Sequence, residues 1–301
     1  MTLEVPTRDD KPLFDVWLSM LWLPAVTVAD ELGIFDSLAG KPATMAELAA
    51  RMDLNPRAVA AVLPLLAAQG FLVAHEGRFG VSDTTRNFML HASPFYWGAV
   101  FVVQPRANPM HIRLKESLVR KNPAPMGQSS EKPPVESWES GQLDRERARG
   151  IAAFMQSHSL PAATGAARNG DFGGVTRLLD VGGGSGCFSI ALAQVHPQLR
   201  CTVMDLPAMC DVAREYVAAA GLSERVDARS VDMFRADWPR GYDAALFSNI
   251  FHDWSPDTCA QLAARAFSAL PSGGRIYLHE ILLDDGGTSP LTPAGFSLVM
   301  L

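Results

Sequence analysis

Cysteine is scarce in this chain. There are four, Cys187, Cys201, Cys210 and Cys259, and no two stand in a C-x-x-C spacing. This excludes a disulfide frame or a thiolate zinc site as the basis of the fold and fits reduced thiols in a cytoplasmic protein. Positive charge is also short: 26 Lys and Arg against 32 Asp and Glu leave a formal net charge of −6. Nucleic-acid binding rests on cations that neutralise phosphates, so that function class is disfavoured. Long apolar runs are missing. The most apolar stretch, residues 13–28, is interrupted by Asp15, Ser19, Pro24 and Thr27, whereas a membrane span needs about 20 predominantly apolar residues. The first ten residues lack the basic-then-apolar order of a secretory leader, and no internal repeat is found.

What remains is an ordinary globular composition, 48% hydrophobic and 19% charged over 301 residues, a length that suggests two domains. Residues 12–38 read as one or two helices that are apolar on nearly every side, with Leu13, Phe14, Val16, Trp17, Leu18, Met20 and Leu21 in close succession. A helix of that kind must be buried, within its own domain or against another subunit. The second option implies a homodimer formed through the N-terminal helices.

Residues 42–90 carry a helix–turn–helix–wing pattern. Thr44 and Glu47 form a capping box. Asn55-Pro56 opens the next helix, and Gly70 stops it. Two short strands, 71–74 and 78–81, flank a turn at Gly77. The pattern fits a winged helix, yet its charges nearly balance: Lys41, Arg51, Arg57, Arg78 and Arg86 against Glu47, Asp53, Glu76 and Asp83. The would-be recognition helix, 55–69, holds Arg57 as its single charge, and a groove reader needs several donors. Residues 91–120 are aromatic and apolar and read as helical. Residues 121–137 read as a proline-rich loop, and a helix over roughly 141–165 follows.

From residue 171 strands and helices alternate: strands at 175–181, 200–205, 225–231, 244–250 and 275–282, and helices at 188–195, 208–220 and 256–270. Such alternation predicts a parallel sheet covered on both faces, with ligands at the strand C-termini. Leu178-Leu-Asp-Val-Gly-Gly-Gly-Ser-Gly186 runs from the first of these strands through glycines into a helix. Its spacing is Gly182-x-Gly184-x-Gly186. A dinucleotide loop needs a third glycine where Cys187 stands, which disfavours an NAD-dependent oxidoreductase. No Lys followed by Ser or Thr is present to make an NTPase phosphate loop. Asp205, beside Leu206, ends the next strand and can accept from two ribose hydroxyls. Asp232-Met233 ends the third and suits an adenine, the carboxylate taking the amine and Met233 packing on the ring. Any one of these aspartates also fits a surface or capping role; three acidic residues, Asp180 included, at three consecutive strand ends favour the ligand reading.

Together, Asp180-x-Gly182-x-Gly184-x-Gly186, Asp205 and Asp232-Met233 resemble the class I methyltransferases that use S-adenosylmethionine (SAM). Phe247-Ser-Asn-Ile-Phe-His-Asp-Trp254 narrows the resemblance to small-molecule O-methyltransferases, typified by plant caffeate and hydroxyindole enzymes and by bacterial polyketide-tailoring enzymes. The fold implied is α/β, a Rossmann-like methyltransferase sheet behind an N-terminal, mostly α, winged-helix dimerisation domain. The corresponding boundaries are 1–100 for the dimerisation domain, 101–165 for a helical linker and substrate segment, and 166–301 for the SAM domain. The activity implied is O-methylation of a small aromatic or polyketide-like acceptor, with N- or C-methylation as alternatives on the same scaffold. A non-enzymatic winged-helix regulator that senses SAM is a further alternative, disfavoured by the weak charge of 55–69.

A phenol has a pKa near 10 and a histidine about 6.5, so a neutral imidazole can take the proton as the methyl moves. His252 is the candidate base, and the resemblance makes Glu280 the carboxylate that orients it. It also places Asp253, Met155 and His158 at the acceptor, although Met155 and His158 equally fit core packing. Ser248 stands at a cofactor-contact position that is often basic in plant members. No metal is implied. Relatives of this kind continue beyond the position of Leu301 by about one helix and a closing strand pair. The resemblance therefore implies a fragment or truncated chain with an intact cofactor site and an incomplete acceptor site.

Overall fold

A computed structural model describes residues 6–98, 100, 108–120 and 143–300. Contacts divide the chain into two units, Asp10–Glu131 with Ile281–Leu301, and Lys132–Glu280 with Met1–Asp9.

The first unit is helical. Helix α1 (Lys11–Glu31) is followed by α2 (Ile34–Gly40), α3 (Met45–Met52) and α4 (Pro56–Ala68). The capping box is formed as the sequence implies: Glu47 N–H donates to Thr44 Oγ1 at 3.2 Å, and Thr44 N–H donates to Glu47 Oε2 at 2.9 Å. Asn55 Oδ1 accepts from the Arg57 and Ala58 amides and starts α4. Strands β1 (Leu72–His75) and β2 (Arg78–Val81) form an antiparallel hairpin. Its two turn residues, Glu76 and Gly77, both have positive φ (50° and 73°), the twist that closes a two-residue hairpin. A short α5 (Asp83–Phe88) and then α6 (Pro109–Val119) follow. The helical expectation for 91–120 thus holds over α6, which Asn108 caps through the Met110 amide. Residues 91–97 form turns. The loop expected at 121–137 lies outside the described residues.

By length and composition α1 could cross a membrane, but Leu18, Leu21, Ala25, Val28 and Ala29 are buried in the core of this unit. Its polar residues are partnered there as well. Thr27 Oγ1 meets His111 Nδ1 at 2.7 Å, and Glu31 takes His111 Nε2 at 2.6 Å and Lys115 Nζ at 2.8 Å. The last helix, α11 (Leu291–Val299), packs on α1 and α4. Ile281 and Leu283 join the same core, so residues 281–300 belong by packing to the helical unit, where the sequence placed them with the SAM domain.

The second unit starts with α7 (Arg145–Asn169), capped by Asp144. A five-stranded sheet follows: β3 (Arg177–Val181), β4 (Arg200–Asp205), β5 (Val226–Ser230), β6 (Ala244–Ser248) and β7 (Arg275–His279). All neighbours are parallel, in the order β5-β4-β3-β6-β7. Helices α8 (Cys187–Val195), α9 (Pro207–Ala219) and α10 (Pro256–Ala269) make the connections. Side chains on a strand alternate between faces. Leu178 therefore packs with Ala163, Ile190 and Leu192, while Leu179 and Val181 pack with Phe247, Leu262 and Ala266. Strand β7 ends at His279, three residues before the sequence suggested, because the chain leaves the sheet there for the helical unit.

Candidate active site

All the strand C-termini open on one side, and their order sets the order of functional groups: Asp232 past β5, Asp205 on β4, Gly182 after β3, Ser248 and Asn249 at β6, Glu280 after β7. Adjacent strands stand about 4.8 Å apart. Above this edge lies a cleft lined by Met155 from α7, Gly182 and Gly184, Asp205 and Leu206, Asp232 and Met233, Ser248, and Asp253. Nine of the residues singled out from sequence thus meet at one cavity.

Glycine is required at the loop for space as well as for conformation. Gly182 has φ +68°, and a Cβ there would come within 2.5 Å of Ile250 Cδ1. Neighbouring Gly183 lies over Asp180, and a Cβ would stand 2.6 Å from that carboxyl carbon. Asp180 itself does not line the cleft. It is buried beneath the loop, where Oδ2 accepts from Ser189 Oγ at 2.7 Å. Burial pushes its pKa up to about 6, the nearby Asp205 charge adding to the effect and Ser189 opposing it. Gly186, with φ +75°, is the N-cap of α8. Both residues support the loop from behind.

Asp205 Oδ2 accepts from the Gly184 amide at 2.9 Å and Oδ1 from the Leu206 amide at 2.7 Å. A carboxylate has about four acceptor positions, which leaves capacity toward the cleft. Asp232 Oδ1 caps the turn through the Phe234 and Arg235 amides. Phe234 and Trp254 pack edge to face at 4.6 Å, and both line the cleft.

Residues Phe251–Asp253 form a single 3₁₀ turn after β6. His252 Nδ1 lies 2.7 Å from Glu280 Oε2, while Glu280 Oε1 accepts from the Ile250 and Phe251 amides at 3.0 and 2.8 Å. One carboxylate thus fixes both the imidazole and the turn that bears it. Asp253 Oδ1 is 3.7 Å from His252 Nε2. Burial works to lower the His252 pKa, but the Glu280 hydrogen bond and the charges of Asp253 and Glu280 outweigh it and hold the imidazole above its ordinary value. Burial pushes Asp253 up to about 6 against the pull of His252. His158, expected near the acceptor, is outside the cleft lining: its Nδ1 contacts its own helix at the Phe154 carbonyl, 2.9 Å away. Sequence reasoning missed Asn249, Ile250, Ile151, Met209 and Phe234, all in the cleft wall. Asn249, ending an apolar strand, was open to discovery because Asn is enriched among non-glycine residues with positive φ.

The donor set fits SAM. Carboxylates at β4 and β5 suit ribose hydroxyls and an adenine amine, and the glycine loop permits close approach to the backbone. A parallel sheet with this loop and these strand-end acids defines the SAM-methyltransferase class. The chain matches the O-methyltransferase domain over residues 126–301 and the O-methyltransferase dimerisation domain over residues 17–90. It belongs to the O-methyltransferase family. It is 34% identical over 283 residues to a 3-hydroxy-5-methyl-1-naphthoate 3-O-methyltransferase of Streptomyces sahachiroi, covering 93% of this chain and 80% of that protein. The N,N-dimethyltransferase OxyT of Streptomyces rimosus is 30% identical over 285 residues, 94% of this chain and 82% of its own. A solved O-methyltransferase family 2 protein from Planctomyces limnophilus, in complex with apigenin, superposes with a TM-score of 0.82 at 28% identity, covering 99% of this chain and 85% of that one.

Proposed function

We propose that this enzyme methylates a hydroxyl of a small aromatic or polyketide-like acceptor, with His252 as general base. The His252–Glu280 pair beside the cleft carries the reading. When bound, SAM supplies a methyl group made electrophilic by its sulfonium. Asp205 and Leu206 would hold the ribose, Asp232 and Met233 the adenine, and the loop from Gly182 to Gly184, with Ser248, the remainder. Asp180 and Gly186 keep that loop in shape.

Glu280 accepts a hydrogen bond from His252 Nδ1–H, which leaves the lone pair on Nε2. In its neutral form His252 can accept the acceptor's hydroxyl proton at Nε2 as the methyl moves. Asp253 then faces the imidazolium that forms. Met155, Phe234 and Trp254 offer apolar faces to an aromatic ring. The acceptor named for one relative, a hydroxynaphthoate, and the flavone apigenin bound in another are both phenols and fit this chemistry.

The test is calorimetric titration with SAM of the wild type and of His252→Ala, followed by turnover on a phenol panel that includes those two compounds. Both proteins are expected to bind SAM, with turnover lower in the variant by about 10²- to 10⁴-fold. Full turnover by His252→Ala, or methylation confined to amines, would overturn the proposal.

The reading includes a cytoplasmic homodimer joined through α1. Leu13 and Val16, each 74% exposed, continue into Met20 and Leu23 as a stripe, one face of a helix. Light scattering should show a dimer that Leu13→Glu with Val16→Glu converts to monomer; a wild-type monomer would refute the assembly.

A further inference from the structure

Helix α7 carries one buried stripe of small residues: Ala148, Ala152, Ser159, Ala163 and Ala167. Gln156 stands on that stripe, four residues after Ala152, a spacing that puts both on one helix face. A long carboxamide among alanines costs stability unless its polar atoms are satisfied. Its Oε1 accepts from Ser185 Oγ at 2.6 Å, and Ser185, 2% exposed, sits in the middle of the glycine loop. Ile151 and Met155, also four apart, line the cleft instead. Pro161 divides the helix after this segment. It donates no N–H to the Ser157 carbonyl, which loosens the helix there. Beyond it, Ala163 and Ala167 are fixed in the core with Leu178 and Ile190. Before it, Ala148 and Ala152 rest on Met209 and Val212, and Gln156 makes the bond to the loop.

We propose that Gln156 is a positioning residue that ties the acceptor wall to the glycine loop. The inference rests on the SAM reading above. Gly182, Gly184 and Gly186 all have positive φ, and glycine backbones have the most conformational freedom to lose. A ligand packed on Gly182 and Gly184 restricts that freedom, and Ser185 lies between Gly184 and Gly186. The Ser185 hydroxyl carries the restriction to Gln156, and so to the turns of α7 that bear Ile151 and Met155. Filling the loop with cofactor then firms the wall against which an acceptor ring would pack. The coupling needs no displacement, only shared order between loop and helix.

Hydrogen exchange read by mass spectrometry measures the coupling. Peptides covering 151–158 and 182–190 are followed with and without S-adenosylhomocysteine, at a concentration that calorimetry shows to be saturating. In the wild type the ligand should slow exchange in both segments. In Gln156→Leu, and in Ser185→Ala, which removes the same bond from the loop side, the ligand should still slow the loop. Its slowing of 151–158 should shrink about fivefold, as expected for loss of one neutral hydrogen bond. The double variant should lose no more than either single one. Gln156→Glu, which keeps an acceptor for the Ser185 hydroxyl, should retain the slowing. A residue that only packs would raise exchange in 151–158 equally with and without ligand. That result, or undiminished slowing in either single variant, overturns the assignment. If the wild type binds no S-adenosylhomocysteine, the SAM reading itself fails and the assignment with it.

Discussion

Replacing Glu280 by Gln tests the proposed catalytic pair with minimal change of shape. Glu280 holds three groups, the Ile250 and Phe251 amides on Oε1 and His252 Nδ1 on Oε2. Gln keeps an oxygen for the two amides but presents an NH₂ to the imidazole. His252 must then accept at Nδ1 and carry its proton on Nε2, the tautomer that cannot act as a base toward the acceptor. The loss expected in kcat is about 10²- to 10⁴-fold, the range of a general base and of a wrong-tautomer variant in the serine-protease triad. Stability should fall by about 1–2 kcal/mol at most, since the amide hydrogen bonds persist. Because Glu280 does not line the cleft, SAM affinity should stay within about threefold.

The pH dependence gives a second readout. With His252 as the proposed base, wild-type kcat requires its neutral form and should fall as pH drops through a folded-state pKa above 6.5. Without the Glu280 charge and hydrogen bond, burial acts against fewer opposing effects, and the His252 pKa should move down. NMR titration of the His252 ring in both proteins measures this without any acceptor. A Glu280→Gln enzyme with kcat within threefold of wild type and an unmoved His252 pKa would refute the reasoning.

Two further predictions concern the loop. Gly183→Ala places a Cβ against the Asp180 carboxyl and should cost about 1–3 kcal/mol, read as a lowered Tm; an unchanged Tm would show that the loop yields freely. Burial pushes the Asp180 carboxyl up to about 6, from an ordinary 3.8, so the native state holds its proton more tightly than the unfolded chain. Its contribution to stability should decline as pH rises from about 4 to 6, by up to about 3 kcal/mol. Asp180→Asn should therefore gain stability relative to wild type across that window, followed by denaturant melts at pH 4.5 and 7, and parallel curves would refute the assignment.

Legibility in the sequence followed the range of the interactions. The Thr44–Glu47 box, the Asn55-Pro56 start and the alternation after residue 171 are local signals, and each element formed within a few residues of its expected place. Glycine spacing and the strand-end acids announced the cleft because each strand delivers its last residue to the same edge. Long-range packing was not legible. Residues 281–300 join the helical core through Ile281, Leu283 and α11, which no motif announces. The Glu280 bonds to the Ile250 and Phe251 amides depend on the β6–β7 register. Asp180, expected as a cofactor contact, is buried beneath the loop and accepts from Ser189, because its side chain points under the loop rather than into the cleft. His158 turns to its own helix, an option any histidine has four residues after a carbonyl. Asn249 lay next to Ser248 and went unread because its signal is conformational.

The sheet order also separates inheritance from invention. Groups suited to the adenosine stand on β4 and β5, and the proposed base with its carboxylate follows β6 and β7, with β3 and its glycine loop between them. Substitutions on the second side can remodel the acceptor while the first side goes on holding the same nucleoside. A lineage on this scaffold can thus change what it methylates without reinventing how it carries the methyl group, and two relatives of about 30% identity named for O- and N-methylation are what such a division of labour would leave behind.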